Sequence, residues 1–142
     1  MSTLRSDGLC FVCGPRNERG LNIRVEGHDG RCSFRWTPET TLQGWEGILH
    51  GGIVTAILDE AMAYAAMSIA GHSATTEITV SFRRPVMTGR EVEVRAEVES
   101  NRGRLTLTTG EVLQDGQVMA TGRARFIAVR DSKAGVADCQ GN

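Results

Sequence analysis

Hydrophobic and polar positions alternate along most of this chain, and the alternation breaks once. Leu21, Ile23 and Val25 alternate with polar neighbours, which predicts a half-buried strand over 21–25. Asp29-Gly30 predicts a hairpin turn into a second strand, with Cys32, Phe34 and Trp36 on one face and its end at Pro38. From Gly51 to about Ala70 the period changes. Ile53, Val54, Ala56, Ile57, Leu58 and every residue from Ala61 to Met67 are apolar, so this helix is apolar nearly all round and must be enclosed by the rest of the fold. Gly71 supplies its stop. Four strands follow, carrying Ile78, Val80 and Phe82; Val92, Val94, Ala96 and Val98; Leu105 to about Leu113; and, after the turn Gln114-Asp115-Gly116-Gln117, Met119 to Ile127. The order β-β-α-β-β-β-β predicts an α+β fold, a curled antiparallel sheet wrapped around one long central helix.

A length of 142 residues suits a single domain over residues 1–142, with an ordered core at about 9–130. Residues 1–8 and the polar tail 131–142 are expected to fray. Apolar residues at 40% and charged residues at 23% exclude a disordered chain. No run approaches the ~18 apolar residues of a membrane span, and no apolar leader opens the chain, so a cytoplasmic location is expected. A formal charge of −1 argues against nucleic acid as a partner.

Lys133 is the sole lysine, so the cationic side is nearly all arginine, either a GC-rich coding bias or a supply of planar forks for phosphate. Cys10-Phe11-Val12-Cys13 has ligand spacing. No second Cys pair or His pair follows at a finger-like distance, so reduced thiols and no metal or cofactor are expected.

Chemistry concentrates between residues 43 and 60. His50-Gly51-Gly52 opens the helix, and two glycines without Cβ atoms let a ligand approach helical N–H groups that have no internal partners. Such a terminus holds a phosphate or the oxyanion of an attacked carbonyl, although a tight turn alone accounts for it equally. Asp59-Glu60 then places two acids in an apolar helix, where an ionised carboxylate is costly unless paired. Successive helical residues point about 100° apart, so the two acids serve different surroundings. Asp59 is the functional candidate, and a structural ion pair to arginine is the alternative for Glu60. Asp59 lies seven residues past Gly52, about 10 Å along the axis. One carbonyl cannot meet both groups of one helix, which predicts a symmetric homodimer with two shared sites.

The run Gly47-Ile48-Leu49-His50-Gly51-Gly52 with Leu58-Asp59-Glu60-Ala61 resembles the signature of the hotdog-fold acyl-CoA thioesterases of the phenylacetate-pathway type. The similarity extends from about residue 10 to 129, taking in Cys10-Phe11-Val12-Cys13-Gly14, Gly20-Leu21 and Ser81-Phe82-Arg83-Arg84-Pro85. The resemblance implies an acyl-CoA substrate, a Gly52 amide (with Gly51 shaping the turn) that polarises the thioester carbonyl, and Asp59 as general base or nucleophile. It also implies a hydroxyl residue positioning water at Thr75, beside Thr76, on the strand after the helix. His50 reads as a residue that fixes the turn. Many relatives carry an Asn where this chain has Gly44, and Gln43 is the candidate replacement for its amide. Arg83, Arg84, Arg102 and Arg104 stand at strand ends and a turn, where forks meet coenzyme A phosphates or merely blunt a sheet edge. Tyr64, Trp45 and Met67 are candidates for the acyl pocket, while His28 and His72 read as surface residues. A non-catalytic acyl-CoA-binding domain and an enoyl-CoA hydratase or dehydratase of the same fold are the alternative readings. Pairing of dimers into a tetramer is left open.

Overall fold

Asp29-Gly30 and Asp115-Gly116 adopt left-handed backbone at both central positions, with φ of 51° and 78° and of 52° and 75°. That is the condition for tight turns matched to the twist of antiparallel strands. The computed structural model describes residues 4–129, so Lys133 and the tail 131–142 expected to fray lie outside the described residues. The elements are β1 (Gly27–His28), β2 (Arg31–Trp36), a 3-10 turn (Thr40–Leu42), α1 (Gly51–Ala70), β3 (Ser73–Phe82), β4 (Val92–Arg102), β5 (Leu105–Gln114) and β6 (Gln117–Ala128). The strands form one antiparallel sheet in the order β1-β2-β4-β5-β6-β3. This is the hotdog architecture.

The sheet curls around α1. Ile57, Leu58, Ala61, Met62, Ala65 and Ala66 are fully buried against Val92, Val94, Val112, Ala120 and Phe126. Burial of such side chains contributes roughly 1.5–3 kcal/mol each for the larger ones. The helix lies close because Gly122 offers no side chain: a Cβ there would stand 3.1 Å from Met62 Cε. By length and composition α1 would suffice to cross a bilayer. That corrects the expectation that no run of the chain approaches such a span.

One local expectation is corrected. Residues 21–25 form no strand of the sheet. The Leu21 and Ile23 N–H groups donate instead to the Phe11 and Val12 carbonyls at 2.8 and 2.9 Å. The alternating burial is real, with Ile23 buried, but the partner is the N-terminal loop. Of residues 1–8, 1–3 lie outside the described residues, and Asp7 and Gly8 contact the following loop: Arg16 donates its backbone N–H to the Gly8 carbonyl at 2.9 Å and Nη1 to the Asp7 carbonyl at 2.7 Å.

Among the described residues, β3 is an edge strand of ten residues paired only with β6. Its register slips between Thr75 and Glu77, where Thr76 is the extra residue of a bulge. A bulge re-aims neighbouring side chains, and this one lies beside Asp59.

Candidate active site

The site begins where the chain enters α1. His50 has φ −57° and ψ 133°, an extended backbone suited to a helix cap, and its Nδ1 accepts the Gly52 N–H at 2.8 Å. That role requires Nδ1 to carry no proton. The His50 carbonyl takes the N–H groups of Ile53 and Val54 at 2.9 and 3.1 Å. Among the described residues no acceptor takes the Gly51 N–H. The Gly52 amide, expected to polarise a carbonyl, is thus the one that faces the His50 ring. Gly52 is engaged by the cap, and the open donor of this helix terminus is Gly51. Sequence spacing does not separate two adjacent glycines; the ring orientation of His50 does.

Two turns along the helix, Asp59 is half-buried and Oδ1 accepts a hydrogen bond from Thr75 Oγ1 at 2.7 Å. Burial pushes the Asp59 carboxyl above the ordinary aspartate range, and the Thr75 hydroxyl pulls it partly back. Thr76 turns away and donates to the Arg125 carbonyl at 3.1 Å. Glu60 points to the N-terminal loop, with Cys13 Sγ 2.7 Å from Oε1 and Cys10 Sγ 3.7 Å from both carboxylate oxygens. Burial first, and the Asp59 charge second, raise Glu60 to about 7. The same two effects in the same order, burial and the Glu60 charge, push the Cys32 thiol up to about 12. The two acids thus serve different surroundings, as their angular separation on the helix requires.

The remaining candidates divide. Gln43 Oε1 accepts the Gly47 N–H at 3.0 Å, so its amide oxygen closes the loop before the helix. A Cβ at Gly44 would meet His50 Cα at 3.4 Å and Cδ2 at 3.5 Å, so position 44 itself faces His50. Arg83 and Arg84 follow Phe82 at the Gly51 end of the sheet, and Arg84 Nη1 donates to Gln117 Oε1 at 3.2 Å. Arg102 and Arg104 flank the β4–β5 turn at the opposite end, where Arg104 Nε donates to the Ala128 carbonyl at 3.1 Å. The β6 partners of Phe82 and Ser73, Ala120 and Ala128, mark these ends, about 26 Å apart along the strand. Four arginines do not form one cluster within a single chain.

The pocket candidates also divide. Tyr64 and Met67 line an open cavity of about 550 Å³ with Cys10, Glu60, Ala63 and the half-buried His72. Trp45 stands apart at 81% exposure. The sequence pattern does not single out Phe82 as a site residue, yet it is 58% exposed and its ring edge lies 3.5 Å from where a Gly51 Cβ would be. Its alternation with Ile78 and Val80 reads as core, and only the end of the strand at the helix terminus distinguishes it.

A family model described as the thioesterase superfamily matches residues 46–121, more than half of the chain. The acyl-coenzyme A thioesterase THEM4 of Xenopus laevis is 28% identical over 81 residues, covering 57% of this chain and 36% of that protein. The chain therefore corresponds to about a third of the length of that relative. The PaaI protein of the phenylacetic acid degradation operon of E. coli superposes with a TM-score of 0.72 at 20% identity, covering 79% of this chain and 83% of its own. A conserved protein of Pseudomonas aeruginosa gives 0.71 at 26% identity over 77% and 90%. With helix, sheet order and the His-Gly-Gly turn in place, this chain belongs to the thioesterase superfamily and has its hotdog fold.

Proposed function

We propose that the protein is an acyl-CoA thioesterase that works as a homodimer, each site drawing Asp59 from one protomer and the Gly51 amide from the other. The observation that carries this reading is the half-buried Asp59 carboxylate held by Thr75 at 2.7 Å. An acid placed in an apolar helix and oriented by a hydroxyl is what general-base work on water needs. Gly51 lies eight residues before Asp59, about 12 Å along the axis. One carbonyl cannot span both on the same helix, so a second copy must bring its own helix terminus. The β3 edge, which pairs with no other strand among the described residues and carries Glu77 as its sole charged residue, supports that pairing, because long bare edges are covered in stable proteins. The named activity of the THEM4 relative supports the substrate class.

The Gly51 N–H and the positive end of the helix dipole polarise the thioester carbonyl. Asp59 takes a proton from water as its oxygen attacks the carbonyl carbon. The tetrahedral intermediate collapses with C–S cleavage, and the Asp59 proton passes to the departing thiolate. Direct attack by the Asp59 carboxylate, giving a mixed anhydride that water then opens, uses the same positions. Arg83 and Arg84 at the Gly51 end are candidates for coenzyme A phosphates, while Gln43 and His50 shape the turn. Release of free thiol from a panel of acyl-CoAs tests the reading. Turnover should fall by about 10²–10⁴ in Asp59→Asn; wild-type turnover in that variant, or no thiol release by the native protein, contradicts it.

A further inference from the structure

The Cys10-Phe11-Val12-Cys13-Gly14 loop has no part in the hydrolysis described above. Its backbone closes tightly. Gly14 N–H donates to the Cys10 carbonyl at 2.9 Å. A Cβ at position 14 would stand 2.4 Å from the Cys10 nitrogen and 2.6 Å from its carbonyl oxygen, so only glycine fits. The closed turn brings both sulfurs to Glu60, a residue of α1. The two Sγ atoms and a Glu60 carboxylate oxygen all lie within 4.8 Å of one another.

Two thiols and a carboxylate form a borderline-soft donor set, the kind that suits zinc. Bond lengths of about 2.3 Å to sulfur and about 2.0 Å to oxygen put tetrahedral S···O pairs roughly 3.5 Å apart. Cys10 and Glu60 already stand at 3.7 Å. Cys13 and Glu60, at 2.7 Å, need to open by less than about 1 Å to match that spacing. Cys10 and Glu60 also line the 550 Å³ cavity together with Tyr64 and His72. Two of the three donors therefore border open space, as in sites that keep an exchangeable ligand.

Cys13 is disulfide-bonded whereas Cys10 is a free thiol, so the oxidation state of Cys13 decides how many sulfur donors exist. We infer that, once Cys13 is reduced, Cys10, Cys13 and Glu60 bind one zinc ion, with the fourth position open to the cavity. Reduction requires a thiol or phosphine reductant. With a thiol, two equivalents deliver two electrons and two protons and leave as their own disulfide, and Cys13 and its former partner become thiols. Metal binding then displaces the Cys10 and Cys13 thiol protons to solvent.

Cobalt(II) reports the site without reference to hydrolysis. Metal-free protein kept reduced by a phosphine and titrated with Co²⁺ should take up one ion per chain. The complex should show thiolate-to-cobalt charge-transfer absorption and tetrahedral ligand-field bands, both erased by Zn²⁺. Unreduced protein should show neither. Cys10→Ser and Glu60→Gln, each checked for native circular dichroism, should weaken Co²⁺ binding at least tenfold. Absence of the charge-transfer band in reduced protein, or its survival at full affinity in both variants, overturns the assignment.

Discussion

Thr75 Oγ1 donates to Asp59 Oδ1 at 2.7 Å, joining the edge strand β3 to the middle of the central helix. The bulge at Thr76 makes this contact possible, because a regular strand would keep strict alternation past Thr75. Thr75→Val should lower kcat/KM by about 10- to 100-fold and move the acid limb of its pH profile upward. The sign follows from the bond: the hydroxyl holds the Asp59 carboxyl down against the effect of burial, so its loss lets the carboxyl rise. Thr75→Ser should stay near wild type. An unshifted limb in the valine variant would remove Thr75 from the account.

His50 caps α1 through its ring rather than through a short hydroxyl or amide. Replacing His50 with Ala leaves the Gly52 N–H without its acceptor, at a cost of about 1 kcal/mol, or roughly 3–5 °C in Tm for a chain of this size. His50→Asn, which retains a side-chain acceptor, should recover most of the loss. A Tm unchanged in His50→Ala would show that the cap contributes nothing.

Glu60 makes stability fall as pH rises. Burial and the Asp59 charge raise its carboxyl from the ordinary glutamate value of 4.5 to about 7 in the folded chain. Between those values the folded state holds the extra proton, so the contribution is present below the lower value and lost as pH rises through the upper one. In metal-free protein, Tm should decline from about pH 5 to about pH 8, by no more than about 3 kcal/mol of stability. Glu60→Gln should flatten that decline; an equal slope in the variant would place its origin elsewhere.

The helix over 51–70, the two Asp-Gly hairpins and the succession of strands from β2 to β6 along the chain are legible because periodicity and turn chemistry act locally. The segment 21–25 shows the limit: its alternation reports which side chains are buried but not which backbone they pair with. The site divides in the same way. Asp59 stands out because an acid in an apolar helix needs a reason. The choice of Gly51 over Gly52 rests on which nitrogen the His50 ring faces. The meeting of Cys10 and Cys13 with Glu60 rests on packing between residues 47 or more positions apart, and no local pattern carries such information.

Complementation between two inactive chains tests the shared site most directly. Gly51→Pro removes one N–H at the first helical position, where proline is tolerated, and His50 already has the extended backbone that a following proline requires. Asp59→Asn removes the base. If each site takes one group from each protomer, a mixed dimer contains one site with neither group intact and one site wholly native. Co-refolded equal mixtures should then regain about a quarter of wild-type thioesterase activity, since half the dimers are mixed. Activity no higher than that of the separate variants, in a sample where mixed dimers are shown to form, would contradict the shared site.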